Sequence, residues 1–180
     1  MVDYAEAYEQ EQRRIAPFQQ RPEWRDWLAG MDAALAGFFD RVVPDMPADP
    51  WSEEGLRHAE AAALERFPDA DSADPETAQA GADVIDGFRR YLGELLVRRF
   101  EGAWVYVDLG ATGLVPAVAL PYSPEYFDVG GALTMAVQRR TGGEWSAVHR
   151  FQREDHDAWV GAGRPEPPVW QQMQDDEALA

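Results

Sequence analysis

The run YLGELLVRRFEGAWVYVDLG, residues 91 to 110, changes its hydrophobic period halfway along, and that change decides the fold. Up to Phe100 the apolar side chains follow a helix: Ile85, Phe88, Leu92, Leu95, Leu96 and Phe100 share one broad sector when successive residues are set about 100° apart. Gly102 then stops the helix, and Trp104-Val105-Tyr106-Val107 has the aromatic and β-branched character of a strand. Two residues in the helical half need an account. Gly93 lies on the border of the apolar stripe, where glycine costs about 1 kcal/mol relative to alanine, so a neighbouring element is expected to approach the backbone there. Glu94 falls opposite the stripe, in step with Asp86, Arg90 and Arg98, and reads as part of an alternating charge ladder on the solvent side.

Working outward, Gly110 to Gly113 is turn chemistry, and Leu114 to Leu120 reads as a return strand whose Pro116 belongs on an edge. Upstream, Asp74-Pro75 and Asp49-Pro50 each present a capping acid before a first-turn proline, predicting one helix from there to Phe100 and another ending at Pro68. A third helix spans Pro22 to Pro44, with Trp24, Trp27, Leu28, Met31, Leu35 and Phe38 at helical spacing. Residues 1–20 read as a leading helix, loosely docked. Downstream, 128–151 fits either helix or strand, with Thr141 to Gly143 as a turn and the Gly130-Gly131 pair weakening both readings. The expected fold is therefore α+β: N-terminal helices, including one long helix, packed on a small, mainly antiparallel sheet in the C-terminal half. One globular domain is expected over residues 1–160, with 161–180 an extended, Pro-rich, acidic tail.

A net charge of −17 would repel a phosphate backbone, so direct nucleic-acid binding is not expected. Residues 81–150 carry eight acids against seven arginines, which leaves the negative excess to the flanking segments. Cysteine and lysine are both absent, removing thiolate ligands, disulfides, a phosphate-loop lysine and Schiff-base chemistry. No apolar run approaches the roughly 20 residues of a membrane span. The acidic N-terminal stretch does not read as a secretory signal, and a cytoplasmic location is expected.

Few residues assemble into recognisable chemistry. His149, Asp155 and His156 have ligand-type side chains and would serve a small metal-dependent hydrolase, but on a helix the two histidines stand two turns, about 10 Å, apart. His58 has Glu54 one turn earlier, as in a solvent-side ion pair. The acidic loop Asp69, Asp71, Asp74 and Glu76 lacks the glycine and the fifth-position ligand of a calcium loop. It reads as a solvated linker with a helix cap, and as a surface for a basic partner. Trp24, Trp27, Trp51 and Trp104 sit at core-facing positions. Trp145, Trp159 and Trp170 fall in the less periodic C-terminal third, where exposed aromatics would anchor a partner.

The helical run Tyr91-Leu92-Gly93-Glu94, followed by Gly102, by Trp104 on a strand and by a proline-containing return strand, resembles a loose group of small bacterial domains of unknown function. In these a helical Y/L-G-E precedes a W-x-V strand. The resemblance covers roughly residues 82 to 140 and brings no catalytic residue or cofactor with it. Some small acidic α+β bacterial proteins serve as immunity proteins, an analogy of type. The expectation is a non-enzymatic protein without a cofactor that masks a basic protein partner. A chaperone or assembly factor for a secreted protein is the nearest alternative.

Overall fold

The computed structural model describes residues 3–74, 81–110 and 113–178. Along the chain come helices α1 (Tyr4–Ile15), α2 (Pro22–Ala29), α3 (Met31–Gly37), α4 (Glu53–Arg66), α5 (Ala70–Ala73) and α6 (Ala82–Phe100). Strands β1 (Ala103–Asp108) and β2 (Leu114–Ala119) follow, then helices α7 (Val129–Arg139), α8 (Glu144–Gly161) and α9 (Pro167–Ala178). The architecture is α+β and mostly helical, with an antiparallel hairpin in the C-terminal half.

Helix α6 runs through the middle, packed by α3, α7, α8 and both strands. Its stripe is buried as the periodicity predicts: Ile85, Phe88, Leu92, Leu95, Leu96 and Phe100 are all at most 5% exposed. The opposite side is covered too, which corrects the solvent-side reading of the ladder. Arg90 and Glu94 are only 5% and 8% exposed. Arg90 lies 3.9 Å over the Trp27 ring and donates to Asp86 Oδ2 at 2.6 Å and to the Trp27 carbonyl at 2.7 Å. Glu94 accepts from Arg98 Nε at 2.9 Å and from the Trp104 indole N–H at 2.9 Å. The spacing of four does join Asp86 to Arg90 and Glu94 to Arg98; what it could not convey is that Trp27 and Trp104 bury Arg90 and Glu94, while Arg98 stays partly exposed. Gly93 explains how. A Cβ there would stand 2.0 Å from Trp104 Cη2, so only a glycine lets the indole lie against the helix and reach Glu94.

The N-terminal helices depart from the sequence reading at their ends. The Pro22–Pro44 helix is divided: Gly30 separates α2 from α3, and Phe38–Val42 closes as a π-helical turn. Helix α4 is capped by Ser52, which accepts from the Gly55 N–H at 3.2 Å, and not by Asp49-Pro50, which forms the turn before it. Helix α6 begins at Ala82 after Gly81, which holds φ of 59°, and not at Asp74-Pro75; Pro75 lies outside the described residues. Helix α1 is docked through Ile15, buried against Val107 and Ala117 of the hairpin.

In the hairpin, Tyr106 pairs with Pro116 and Trp104 with Val118. The Gln19 side chain occupies the outer edge of β1 as a strand would, donating to the Tyr106 carbonyl at 2.7 Å and accepting from its N–H at 3.0 Å. On the outer edge of β2, Val118 and Phe127 exchange backbone hydrogen bonds of 3.1 and 2.8 Å. Pro116 thus stands on an edge, as its missing N–H requires.

In the C-terminal third, the described residues from Val129 onward form three helices joined by short turns. Residues 128–151 form α7 and the start of α8, with Asp128 Oδ1 accepting from Gly130 and Gly131 at 3.0 and 2.9 Å. A Cβ on Gly131 would meet that carboxylate at 2.6 Å, so the glycine makes room for the cap. The tail is not extended: Pro167 and Pro168 open α9, where prolines are tolerated because first-turn N–H groups have no helical acceptor. Two long-range caps tie this third to α4. Glu60 of α4, fully buried, accepts from the N–H groups of Glu144 and Trp145 at 3.0 Å each and so caps α8. Arg140, in left-handed conformation at the end of α7, donates to the carbonyls of Leu64, Phe67 and Pro68 at the end of α4.

Candidate functional site

The structure reassigns most of the residues singled out from sequence. Trp145, Trp159 and Trp170 are 1%, 6% and 6% exposed and belong to the core, so none offers a surface to a partner. Trp145 and Trp159 also spend their indole N–H groups internally, on the carbonyls of Ala132 at 3.3 Å and Pro165 at 2.9 Å. In the acidic loop, Asp69 caps α5 by accepting from the Ser72 N–H at 2.9 Å, and Asp71 lies within that helix. Asp74 ends α5, and Glu76 lies outside the described residues. His58 directs Nε2 to the Pro44 carbonyl at 3.1 Å, a contact that replaces the expected pair with Glu54.

His149, Asp155 and His156 all lie on α8 but are not gathered around a point. The Phe100 ring contacts both imidazoles, with centroids 5.2 Å from His149 and 5.8 Å from His156. His156 faces Glu101 at 3.2 Å, whereas Asp155 is exposed, its carboxyl pushed up by partial desolvation and by Glu154. Among the described residues, no three histidine or carboxylate side chains form a set able to hold a metal ion.

His149 has a measurable consequence. Its Nδ1 is sealed from solvent without a hydrogen-bond partner among the described residues, and burial, reinforced by Arg153, lowers its pKa below the ordinary 6.5. The unfolded chain therefore binds this proton more readily, and stability falls as pH drops from about 6.5 through the lower folded value. Melting temperature followed from about pH 7.5 to about pH 5.5 should decline in the parent, and His149→Phe should flatten that decline. Parallel profiles would show that the imidazole carries no such linkage.

The feature best suited to binding was not among those residues. Between α1, the hairpin, the segment from Leu120 to Tyr126 and the start of α9 runs an open groove of about 350 Å³. Ala103, Ala119 and Leu120 form its floor, and Tyr4, Tyr8, Tyr126 and four prolines, Pro121, Pro124, Pro167 and Pro168, supply its walls. Tyr8 is 41% exposed, a large apolar side chain left at the surface. Helix α1 places Tyr4, Ala7, Tyr8 and Glu11 on the groove side by its i, i+3, i+4, i+7 spacing.

Carboxylates Glu11, Glu101 and Glu125 rim the groove. Glu11 accepts two hydrogen bonds from Arg14, at 2.7 and 2.8 Å, and one from the Tyr126 hydroxyl at 2.8 Å. Arg14, outweighing burial, holds the Glu11 carboxyl below its usual range, while burial and Glu11 push the Tyr126 phenol far up. Glu101 is held low chiefly by Arg164, whose guanidinium donates to it at 2.9 Å, and by His156. Glu125 stands exposed. Tyr4 donates to Asp175 across the α1–α9 contact, fixing the two walls together.

No protein-family model, curated protein or solved structure matches this chain. The groove must accordingly be interpreted from its own chemistry. An apolar floor with tyrosine and proline walls accepts a hydrophobic side chain, and the tyrosines add hydrogen-bonding groups at the mouth. Its flanking helices are negative: α1 carries three glutamates against two arginines, and α9 carries three acids with no cation. Sequence alone held one clue, the concentration of Tyr4, Tyr8 and the prolines in segments far apart in the chain. Nothing in the sequence brings those segments together.

Proposed function

We propose that this protein binds a basic protein partner through the groove between α1, α9 and the hairpin, as an immunity protein or other inhibitor would. The single observation that carries the reading is an apolar, tyrosine- and proline-walled groove set between two helices of negative charge, in a chain of net charge −17. A cationic partner is steered toward such a face over about a Debye length, and an apolar anchor seated in the groove then holds it. No catalytic residue or cofactor is assigned.

The test uses a peptide of alternating arginine and leucine and its glutamate-leucine counterpart, with binding read by fluorescence anisotropy. The basic peptide should bind, more weakly as salt rises, and the acidic one should not. Ala7→Arg puts a cation on the exposed groove side of α1 without disturbing the helix, and should weaken binding about tenfold, the effect of roughly 1.4 kcal/mol. Equal binding of both peptides, or indifference to Ala7→Arg, would remove the groove from the proposal.

The apolar floor also suits a chaperone that holds an unfolded segment. The two readings separate on the partner's state: an inhibitor engages a folded partner at fixed stoichiometry and abolishes its activity, whereas a chaperone prefers the unfolded client.

A further inference from the structure

On the opposite side of β1 from the groove's floor lies a second, larger concavity of about 700 Å³, bounded by α2, α6, β2 and the start of α7. Trp24, Trp27, Tyr106, Val115 and Pro116 supply aromatic and aliphatic surface, and Arg89 of α6 supplies the cation. Tyr106, Trp24 and Trp27 form one continuous stack, with centroids 5.3 and 5.2 Å apart. The wall is therefore a continuous aromatic surface.

Arg89 is anomalous in this molecule. Its Nε is sealed from solvent and has no acceptor among the described residues, although the chain carries 33 acids. Four carboxylates line the cavity with it, Glu23, Asp74, Asp86 and Asp128, and of these Asp86 and Asp128 act on it. Asp86 accepts from Arg90 at 2.6 Å and from the Trp27 indole at 2.8 Å, Asp128 accepts from the two glycine N–H groups of α7, and Glu23 pairs with Arg21 at 3.2 Å. A Cβ on Gly130 would make ordinary contact with Arg89 Nε at 3.5 Å, so the start of α7 lies directly against that edge of the guanidinium. A guanidinium half withdrawn from water without a partner is costly, and burial lowers its pKa even with Asp86 and Asp128 nearby. An anion that enters the cavity removes that cost.

The surroundings narrow the anion. With Asp86 and Asp128 close by and Glu23 and Asp74 also on the wall, a doubly charged phosphate meets more repulsion than a single carboxylate, and the planar guanidinium fork matches a carboxylate's two oxygens. The aromatic and aliphatic wall asks for an apolar body behind that charge. We infer that this cavity is a binding site for a small apolar monocarboxylate, whose carboxylate pairs with Arg89 and whose body lies against Trp24, Tyr106 and Pro116. The site is separate from the partner-binding groove, and its test does not depend on that reading.

The experiment titrates the full chain with phenylacetate, with its neutral analogue phenethyl alcohol and with phenyl phosphate, following the arginine Nε–H and tryptophan indole N–H signals by NMR. Phenylacetate should move the Arg89 signal, identified by its loss in Arg89→Gln, together with the indoles of Trp24 and Trp27, saturating in the millimolar range. Phenethyl alcohol should leave the Arg89 signal in place. Arg89→Gln should weaken phenylacetate binding about tenfold while the remaining indole spectrum shows the fold intact. Should that variant fail to fold, Arg89→Lys keeps the charge without the fork and should weaken binding by a smaller factor. Binding of the alcohol as tightly as the acid, undiminished binding to the Arg89 variants, tighter binding of phenyl phosphate, or no movement by any probe through the millimolar range would each overturn the inference.

Discussion

Gly93→Ala should lower the melting temperature by roughly 5 to 10 °C, a net loss of about 2 to 3 kcal/mol, although alanine is the better helix former. The added methyl would lie 2.0 and 2.2 Å from Trp104 Cη2 and Cζ2, closer than any real contact. The indole has nowhere inexpensive to go. Its N–H is committed to Glu94 at 2.9 Å, and Trp27 abuts it edge-on with centroids 4.9 Å apart. Overpacking of this kind outweighs the roughly 1 kcal/mol gained in helix propensity. Trp104→Ala alone should destabilise by lost packing, but in that background Gly93→Ala should become neutral or mildly stabilising. Chemical denaturation of the four members of this double-mutant cycle gives the coupling directly, and an equal loss in both backgrounds would mean the indole is not the obstacle.

Glu60→Ala should cost about 3 kcal/mol by removing a carboxylate that serves two helices at once. Burial pushes the Glu60 carboxyl above its ordinary range, with the backbone N–H groups of Trp145 and Glu144 pulling the other way. Without it those two donors at the start of α8 lose their acceptor, because Gly143, the residue at the N-cap position, has no side chain to replace it. The carboxyl oxygens also sit at the positive end of an 18-residue helix dipole. Glu60→Gln preserves the shape but turns an N–H₂ toward one of the donors, and should recover only part of the loss. Gly143→Ser offers a local cap where an added side chain meets no atom within 4 Å, and should return about 1 kcal/mol to Glu60→Ala. Urea unfolding midpoints of these variants decide the matter; a Glu60→Ala midpoint equal to the parent's would refute the shared cap.

How far the sequence could be read depended on whether the cause was local. The change of period at Gly102 is written into consecutive residues, so the long helix, the hairpin and the edge position of Pro116 follow from it. Gly93 was legible for the same reason, since an internal glycine on an apolar border requires a neighbour. Glu94 and Arg90 were not legible, because a helical wheel reports which side is most apolar and cannot show that Trp27 and Trp104 cover the other. Asp128, Glu60 and Arg140 mark the same boundary: the Asp128 cap lies two and three residues from its donors, whereas Glu60 and Arg140 act across more than seventy positions. The tail misled because consecutive prolines suit both an extended segment and the first turn of a helix, and the burial of Trp170 goes with the latter. The groove and the Arg89 cavity draw their walls from segments remote in sequence, and no spacing announces either.

The closed borders of the hairpin limit how this molecule meets others. Gln19 occupies the middle of one border, and the other has Pro116, with no N–H to offer, beside Val118 already bonded to Phe127. An incoming extended peptide would find no run of free main-chain groups on which to lengthen the ladder, which disfavours recognition by strand addition and guards against stacking into fibres. Whatever docks here must be read by side chains.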